Sequence, residues 1–230
     1  KAREYSPLAV NLYRGCSHGC IYCYAPAATR QDRKSFGMPK PKDNVVARIY
    51  ADIRSGKFLP APVLLCFTCD PYMAEFEADG LTRAAIVALN EGGFPVHILT
   101  KGGIRAAKDF DVLRRDPQNA FATTLTCVSN AESVTWEPRA APPEDRILAI
   151  RAAHEAGIQT WVSFEPVLDP EWVYELLDRT MEFVDLFKVG KLNYHPRSKE
   201  INWPAFRSKI TRLLKTAKKP YYIKEDLKAA

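Results

Sequence analysis

The stretch Pro62-Val-Leu-Leu-Cys-Phe67, followed by Leu81-Thr-Arg-Ala-Ala-Ile-Val-Ala-Leu-Asn-Glu91, Gly92-Gly93 and Pro95-Val-His-Ile-Leu99, decides the fold class. Two short apolar runs read as strands buried on both faces. The segment between them reads as a helix stopped by the paired glycines. Strand, helix and returning strand within 38 residues make a parallel βα unit.

The same alternation extends in both directions. Upstream, Leu8–Tyr13 reads as a first strand running into a cysteine-rich loop. A polar, basic connection from Arg30 to Lys42 follows, holding Pro39 and Pro41, and then a helix over Asn44–Arg54. Downstream, the expected elements are a helix over Ile104–Arg114, a strand over Ala120–Leu125 and a helix from Glu144 to Ala156 ending at Gly157. They continue with a strand over Ile158–Phe164, a helix over Glu171–Phe183 and a sixth strand over Val184–Val189. A basic helix over about 203–216 carries Trp203, Phe206, Ile210, Leu213 and Leu214 on one face, and a short extended piece, Tyr221–Lys224, closes the chain. Six βα units are too few for a complete eight-fold barrel of about 250 residues. They suit a partial (β/α)6 barrel of TIM type, an α/β fold with a parallel sheet, with residues 1–230 as one domain and the loop 14–24 after the first strand.

Parallel strands direct chemistry to their C-terminal ends. Cys16, Thr68, Asp70, Thr100, Lys101, Thr124, Thr126, Glu165, Lys188 and Lys224 all fall at or just after a strand end. The plainer reading makes some of them loop caps; their recurrence after every strand favours a site.

Bulk composition is that of a globular chain, with 47% hydrophobic and 26% charged residues. No apolar run approaches the ~20 residues that span a bilayer, and residues 1–15 lack the apolar core of a secretory signal, so a cytoplasmic, membrane-free protein is expected. The net charge of +6 favours an anionic partner, DNA or RNA being the commonest. The basic residues group in two places: Arg30, Arg33, Lys34, Lys40 and Lys42 in one long loop, and Lys209, Arg212, Lys215, Lys218 and Lys219 on and after the last helix. Both suit phosphates, and both also suit plain solvation.

Six cysteines occur, and three of them crowd into Arg14-Gly-Cys16-Ser-His-Gly-Cys20-Ile-Tyr-Cys23-Tyr24. A domain this size needs no disulfide staples, so thiolate ligation is the better reading. Three thiolates at C-x3-C-x2-C spacing can each bind a different iron of one [4Fe–4S] cluster, leaving the fourth iron open. An open metal position is what a catalytic site needs. Zinc is the rival, but it wants a fourth ligand, and His18 lies too close within the loop for comfortable tetrahedral closure.

The cysteine motif, with an aromatic beside its last cysteine after the first strand of a partial βα barrel, resembles the radical S-adenosylmethionine (SAM) superfamily. Phe67-Thr-Cys-Asp-Pro-Tyr72, with Glu75 or Glu77 nearby, and Ser163-Phe-Glu-Pro166 narrow the likeness to the spore photoproduct lyase-like group, often labelled DNA repair photolyases; it covers residues 5 to about 225. The resemblance implies a [4Fe–4S] cluster on Cys16, Cys20 and Cys23 whose open iron chelates SAM. Reduction by an external donor of flavodoxin or ferredoxin type would then cleave SAM into methionine and a 5′-deoxyadenosyl radical that abstracts hydrogen from substrate. It also places Thr68 and Asp70 at the SAM amino group, Thr124 and Thr126 (less so Ser129) at the ribose hydroxyls, Glu165 near adenine and substrate, and Tyr22 against adenine. Cys66 or Cys69, with Tyr24, would act in hydrogen transfer, although neither cysteine stands in register with the group's hydrogen donor.

The substrate implied is nucleic acid, in a lyase or repair reaction; a peptide or small-metabolite substrate, or an iron–sulfur electron-transfer module without SAM chemistry, are the alternatives. Cys66 and Cys69 straddle a strand end, where period-two alternation is expected to send them to opposite sides; with Cys127 they are also candidates for an auxiliary metal site. His97 reads as a core histidine, His154 as solvated and His195 as a substrate contact. Replacing Cys20 with Ala should remove most of the iron from anaerobically reconstituted protein while leaving the chain soluble. Iron analysis checks this, and unchanged iron content contradicts the ligand assignment.

Overall fold

Seven short strands run parallel in one sheet, in chain order: β1 Leu8–Val10, β2 Val63–Leu65, β3 Val96–Thr100, β4 Ala120–Thr124, β5 Gln159–Phe164, β6 Leu186–Val189 and β7 Tyr221–Ile223. A computed structural model provides this architecture and describes residues 4–230. Parallel neighbours need crossovers, and the longer ones carry helices: α1 Val45–Arg54, α2 Leu81–Glu91, α3 Pro143–Glu155, α4 Pro170–Thr180 and α5 Trp203–Thr216. Strand alternation sends Leu65, Ile98, Phe121, Val162, Phe164, Phe187 and Val189 to the helix-covered face, where all are fully buried. Each such side chain contributes about 1.5–3 kcal/mol by leaving water.

The opposite face is concave. Ala120 and Ala122 on β4 and Trp161 on β5 form a second apolar cluster there, with Tyr5 and Leu99 packed against it. Tyr5 shows how far the sheet curls. It precedes β1, yet its ring lies 5.7 Å from Trp161 on β5 and 4.1 Å from the Lys224 amine just after β7. The sheet is therefore a half-barrel with open edges at β1 and β7, bridged inside by this one side chain.

Several expectations shift. The extended piece at 221–224 is a full seventh strand, paired to β6 with Tyr222 opposite Lys188. The first strand ends at Val10, and Tyr13–Arg14 pairs instead with Lys40–Pro41 in a small antiparallel ribbon. The helix expected over 104–114 is a 3₁₀ stretch, Gly103–Asp109, followed by the single α-turn Phe110–Leu113. Gly103 has φ +68°, and a Cβ there would lie 1.9 Å from the Asp145 carboxylate of α3, so this crossover presses too tightly on α3 for a regular helix. A further helix, Asn130–Trp136, follows β4, with Ser129 as its N-cap accepting from the Glu132 amide. That role accounts for Ser129 without a ligand.

Phe187 packs at 0% exposure against Phe164, with ring centroids 5.6 Å apart. Phe187→Ala should lower unfolding free energy by about 3–5 kcal/mol, measured by urea titration.

Candidate active site

The cysteine loop leaves the Tyr13–Arg14 ribbon through Gly15, at φ +93°, where a Cβ would sit 2.5 Å from the Phe36 carbonyl oxygen. Only glycine tolerates both the conformation and the approach. The Cys16 amide donates to that same carbonyl at 2.8 Å, the Ile21 amide donates to Trp136 O at 3.0 Å, and the Arg139 amide donates to His18 O at 3.1 Å. Arg33 completes the clamp. Its guanidinium donates to the carbonyls of Cys20 at 3.2 Å, Ile21 at 2.8 Å and Cys23 at 3.3 Å. One member of the basic loop thus holds the cysteine loop and is not a free surface cation.

A buried charge network lies behind the loop. The Tyr22 hydroxyl donates to Glu137, whose other oxygen pairs with Arg146 at 2.6 Å, and both charged side chains are wholly inaccessible. Arg146 also donates to Ala141 O at 2.7 Å and Thr124 O at 3.1 Å. The Lys101 amine stands 3.9 Å from Glu137 and 5.6 Å from the centre of the Tyr22 ring. Burial works against the Glu137 carboxylate, but Arg146 and then Lys101 keep it below its ordinary value. Burial pushes the Cys20 thiol up to about 12 against the pull of Lys101, and it pushes Cys16 up as well, with the Asp70 carboxylate adding to the rise. Thiolates at these positions require a cationic partner. Cys16, Cys20 and Cys23 lie near enough to disfavour one another's charge, yet among the described residues no three His, Cys, Asp or Glu side chains converge on a single ion. This donor set fits a polynuclear iron–sulfur cluster, which gives each thiolate its own iron.

Asp70 does something other than expected. One carboxylate oxygen accepts from the Tyr72 amide at 2.8 Å and the Thr100 hydroxyl at 2.6 Å; the other accepts from the Lys101 amide at 2.8 Å and faces His18 Nε2 at 3.1 Å. Two oxygens offer about four acceptor sites; three are filled by hydrogen bonds and the His18 ring stands beside the fourth. Burial alone would raise this carboxyl, but His18, Thr100 and the Lys101 amide hold it well below the usual range. Asp70 therefore fastens the loop after β2 to the end of β3 and faces the cysteine loop through His18, and most of its acceptor capacity is used within the chain. The strand stops at Leu65; beyond it the Cys66 sulfur accepts from the Leu12 amide at 3.5 Å, its thiol raised first by burial and then by Cys69, whose own thiol donates to Asn11 Oδ1 at 3.8 Å. Cys127 lies apart from them, against the Thr126 hydroxyl at 3.6 Å.

A cavity of about 460 Å³ opens at the C-terminal ends of the strands. Of the site residues expected from sequence, Tyr22, Tyr24, Cys66, Thr124 and Glu165 line it; Thr68, Cys69, Asp70 and Thr126 do not, and neither does His195, whose ring packs 5.1 Å from Trp136. Glu165 forms its far wall. Lys224 donates to both Glu165 oxygens, at 2.9 and 2.7 Å, and the Tyr5 hydroxyl donates to the same carboxylate. Gly190 is required behind it, since a Cβ there would lie 2.7 Å from the Glu165 carboxyl carbon. Tyr5, Lys101 and Lys224 bring a phenol and two ammonium groups to the cavity wall.

The family model described as the radical SAM superfamily matches residues 10–184, three quarters of the chain. The chain belongs to this superfamily. Membership implies use of SAM and an iron–sulfur cluster. The uncharacterized protein Rv2578c of Mycobacterium tuberculosis is 32% identical over 174 residues, covering 69% of this chain and 49% of its own. This chain thus spans about half the length of that relative. The uncharacterized protein MJ0683 of Methanocaldococcus jannaschii is 24% identical over 227 residues, covering 91% of this chain and 85% of its own. Spore photoproduct lyase complexed with dinucleoside spore photoproduct superposes with TM-score 0.70 at 15% identity, over 92% of this chain and 74% of that one. Streptococcus suis SuiB bound to S-adenosylmethionine gives 0.68 at 12% identity, over 94% and 46%. At such identities these likenesses show a shared half-barrel fold. No helix among the described residues is long and apolar enough to cross a membrane.

Sequence reasoning missed Glu137, Arg146 and Tyr5 and took Arg33 only as part of a basic loop; Glu137 and Tyr5 lie 115 and 160 residues from Tyr22 and Glu165, and no motif marks Arg33 or Arg146. The one available signal was the excess of charged residues in segments otherwise apolar enough to be buried. Lys188 was seen only as a strand-end residue. Its amine lies on the concave face 4.2 Å from the Trp161 ring centre, and burial, then the neighbouring Lys224 charge, lowers it to about 8. The folded chain thus releases this proton more readily than the unfolded one, whose lysine titrates near 10.5. Stability should rise with pH between about 8 and 10.5, and Lys188→Met should flatten that rise; urea midpoints across the range test it.

Proposed function

We propose that this chain acts as a single catalytic domain that binds a [4Fe–4S] cluster through Cys16, Cys20 and Cys23 and SAM in the adjoining cavity, and abstracts hydrogen from a nucleic-acid substrate. The observation that carries the reading is the cavity itself, walled on one side by the aromatics of the cysteine loop and on the other by Glu165. When bound and reduced by an external donor of flavodoxin or ferredoxin type, the cluster supplies the electron that cleaves SAM.

The chain's own residues bind, orient and exclude water. Lys101 is the ammonium nearest the cysteine loop in the cavity wall, and it suits a ligand carboxylate better than Asp70 suits its amine. Burial works against the charge on Lys101, but the Cys20 thiol and Glu137 more than offset that and keep the amine protonated. Asp70 is committed elsewhere and Thr68 lies outside the lining, so neither is assigned to the amino group. Thr124 lies in the wall where ribose hydroxyls would reach it, while Thr126, outside the lining, supports the turn after β4. Tyr22, held through Glu137, and Tyr24 offer faces to an adenine or a substrate base. Cys66 is the thiol that lines the cavity, so it is favoured over Cys69 for any hydrogen transfer.

Nucleic acid is preferred as substrate because the chain carries a charge of +6 and the cavity mouth adds Lys191 and the 94% exposed Tyr194, a cation and a stacking surface. A base must leave its stack to enter an enclosed cavity, so single-stranded or locally opened substrate is expected. Two structural neighbours bracket the choice: one was solved with a dinucleoside spore photoproduct and another with the precursor peptide SuiA.

Anaerobic reconstitution with iron and sulfide, followed by dithionite and SAM, should yield 5′-deoxyadenosine by chromatography. Lys101→Met should weaken SAM binding about tenfold or more with cluster content retained. A reducible cluster that releases no 5′-deoxyadenosine overturns the reading.

A further inference from the structure

The cationic groups of the last helix surround a second depression, separate from the cavity and not used by the chemistry proposed there. It is an open groove of about 680 Å³ between α5 and the edge strand β7. Arg207, Arg212, Lys215 and Lys228 line it together with three hydroxyl side chains, Tyr221 and Ile223, and none of the nine lining residues is acidic. The cavity, by contrast, carries Glu4, Glu165 and Asp226 in its wall.

Three features distinguish the groove from a solvated basic face. First, Arg212 and Lys215 are exposed and have no carboxylate within ion-pair distance among the described residues, whereas nearby Lys209 and Lys228 are paired with Glu171 and Glu225. Second, Arg207 is fixed in place, its guanidinium donating to the carbonyls of Leu227 and Lys228. Third, β7 is an open edge. The Lys224 amide donates to Val189 and the Pro220 carbonyl accepts from Phe187, so even-numbered residues of the strand bond to β6. The amides of Tyr221 and Ile223 therefore point away from the sheet on the groove side, where they add neutral donors to the cationic ones.

We infer that this groove binds the phosphodiester backbone of a single-stranded nucleic acid. Guanidinium, ammonium, hydroxyl and backbone N–H donors together make up the usual phosphate contact set, and the half-buried Tyr221 adds the edge of an aromatic ring beside them. The segment Tyr221–Lys228 links the two sites. Tyr221, Ile223 and Lys228 line the groove, while Lys224 and Asp226 line the cavity on the other side of the same strand and turn. A strand held in the groove and crossing this turn delivers a nucleotide to the cavity mouth. This extends the substrate reading above and rests on it for its biological sense, but its test reads binding and not turnover.

The experiment is fluorescence anisotropy of a labelled oligothymidylate of about 16 nucleotides with the reconstituted protein at salt between about 50 and 200 mM. It compares wild type, Arg212→Glu/Lys215→Glu and a control of equal charge change, Arg54→Glu/Lys57→Glu, near the opposite edge of the sheet. The groove variant should bind at least tenfold more weakly, with a log–log salt slope shallower by about 1.4 for two lost contacts. The control should change affinity less than threefold. Equal weakening in both variants overturns the groove as a site, as does unchanged binding in the groove variant. Displacement of the oligonucleotide by polyglutamate at equal charge concentration also overturns the assignment, because the edge strand would then be receiving an acidic peptide. Release of 5′-deoxyadenosine should be unchanged in the groove variant, so failure of the cavity chemistry and failure of the groove are separately visible.

Discussion

The buried pair between Glu137 and Arg146 is the contact on which the site depends. Two charges fully removed from water cost several kcal/mol each in desolvation, and their attraction offsets this only when their other hydrogen-bonding capacity is filled. Here it is filled by structure that matters. Arg146 gathers the carbonyls at the end of β4 and before α3, while Glu137 receives the Tyr22 hydroxyl from the cysteine loop. The pair connects a strand end, a helix and the loop that presents the thiols. A hydrophobic replacement of equal volume would hold the helices but would leave the loop unanchored.

Asp70 performs the matching task on the other side of the loop. Its carboxylate ties β2, β3 and His18 together, and Arg33 clasps the loop carbonyls from outside. The cysteine loop is thus held from three directions by charge-assisted hydrogen bonds, which are shorter and stronger than neutral ones. A loop that must keep three thiols at fixed separations while leaving a ligand-sized space beside them needs this rigidity, since a site is only as well ordered as its supports.

The electrostatics of the cavity are divided. Lys101 faces the thiols, and Lys224 is neutralised by Glu165. The first supplies a cation where anionic sulfur is expected; the second removes one from the substrate end. Lys188, deeper on the concave face, sits against aromatic rings and has a lowered proton affinity because it is buried and, secondarily, because Lys224 is near. The groove beside β7 differs from the cavity in having no acidic residue in its lining.

The amino-acid sequence by itself determined the parallel βα repeat, the position of the cysteine loop after the first strand and the crowding of polar residues at strand ends. All of these rest on local spacing: runs of four to eight apolar residues, glycine stops and the C-x3-C-x2-C interval. The tertiary structure decided which of those polar residues face the cavity. Thr124 ends β4 and Asp70 lies in the loop after β2, yet Asp70 is taken up by Tyr72, Thr100, Lys101 and His18 while Thr124 lines the site, a difference set by where the chain turns after each strand. It also decided the partners of Tyr22 and Glu165, which lie 115 and 160 residues away in Glu137 and Tyr5. No spacing rule reaches across such intervals, because these contacts exist only once the sheet has curled and brought its edges together.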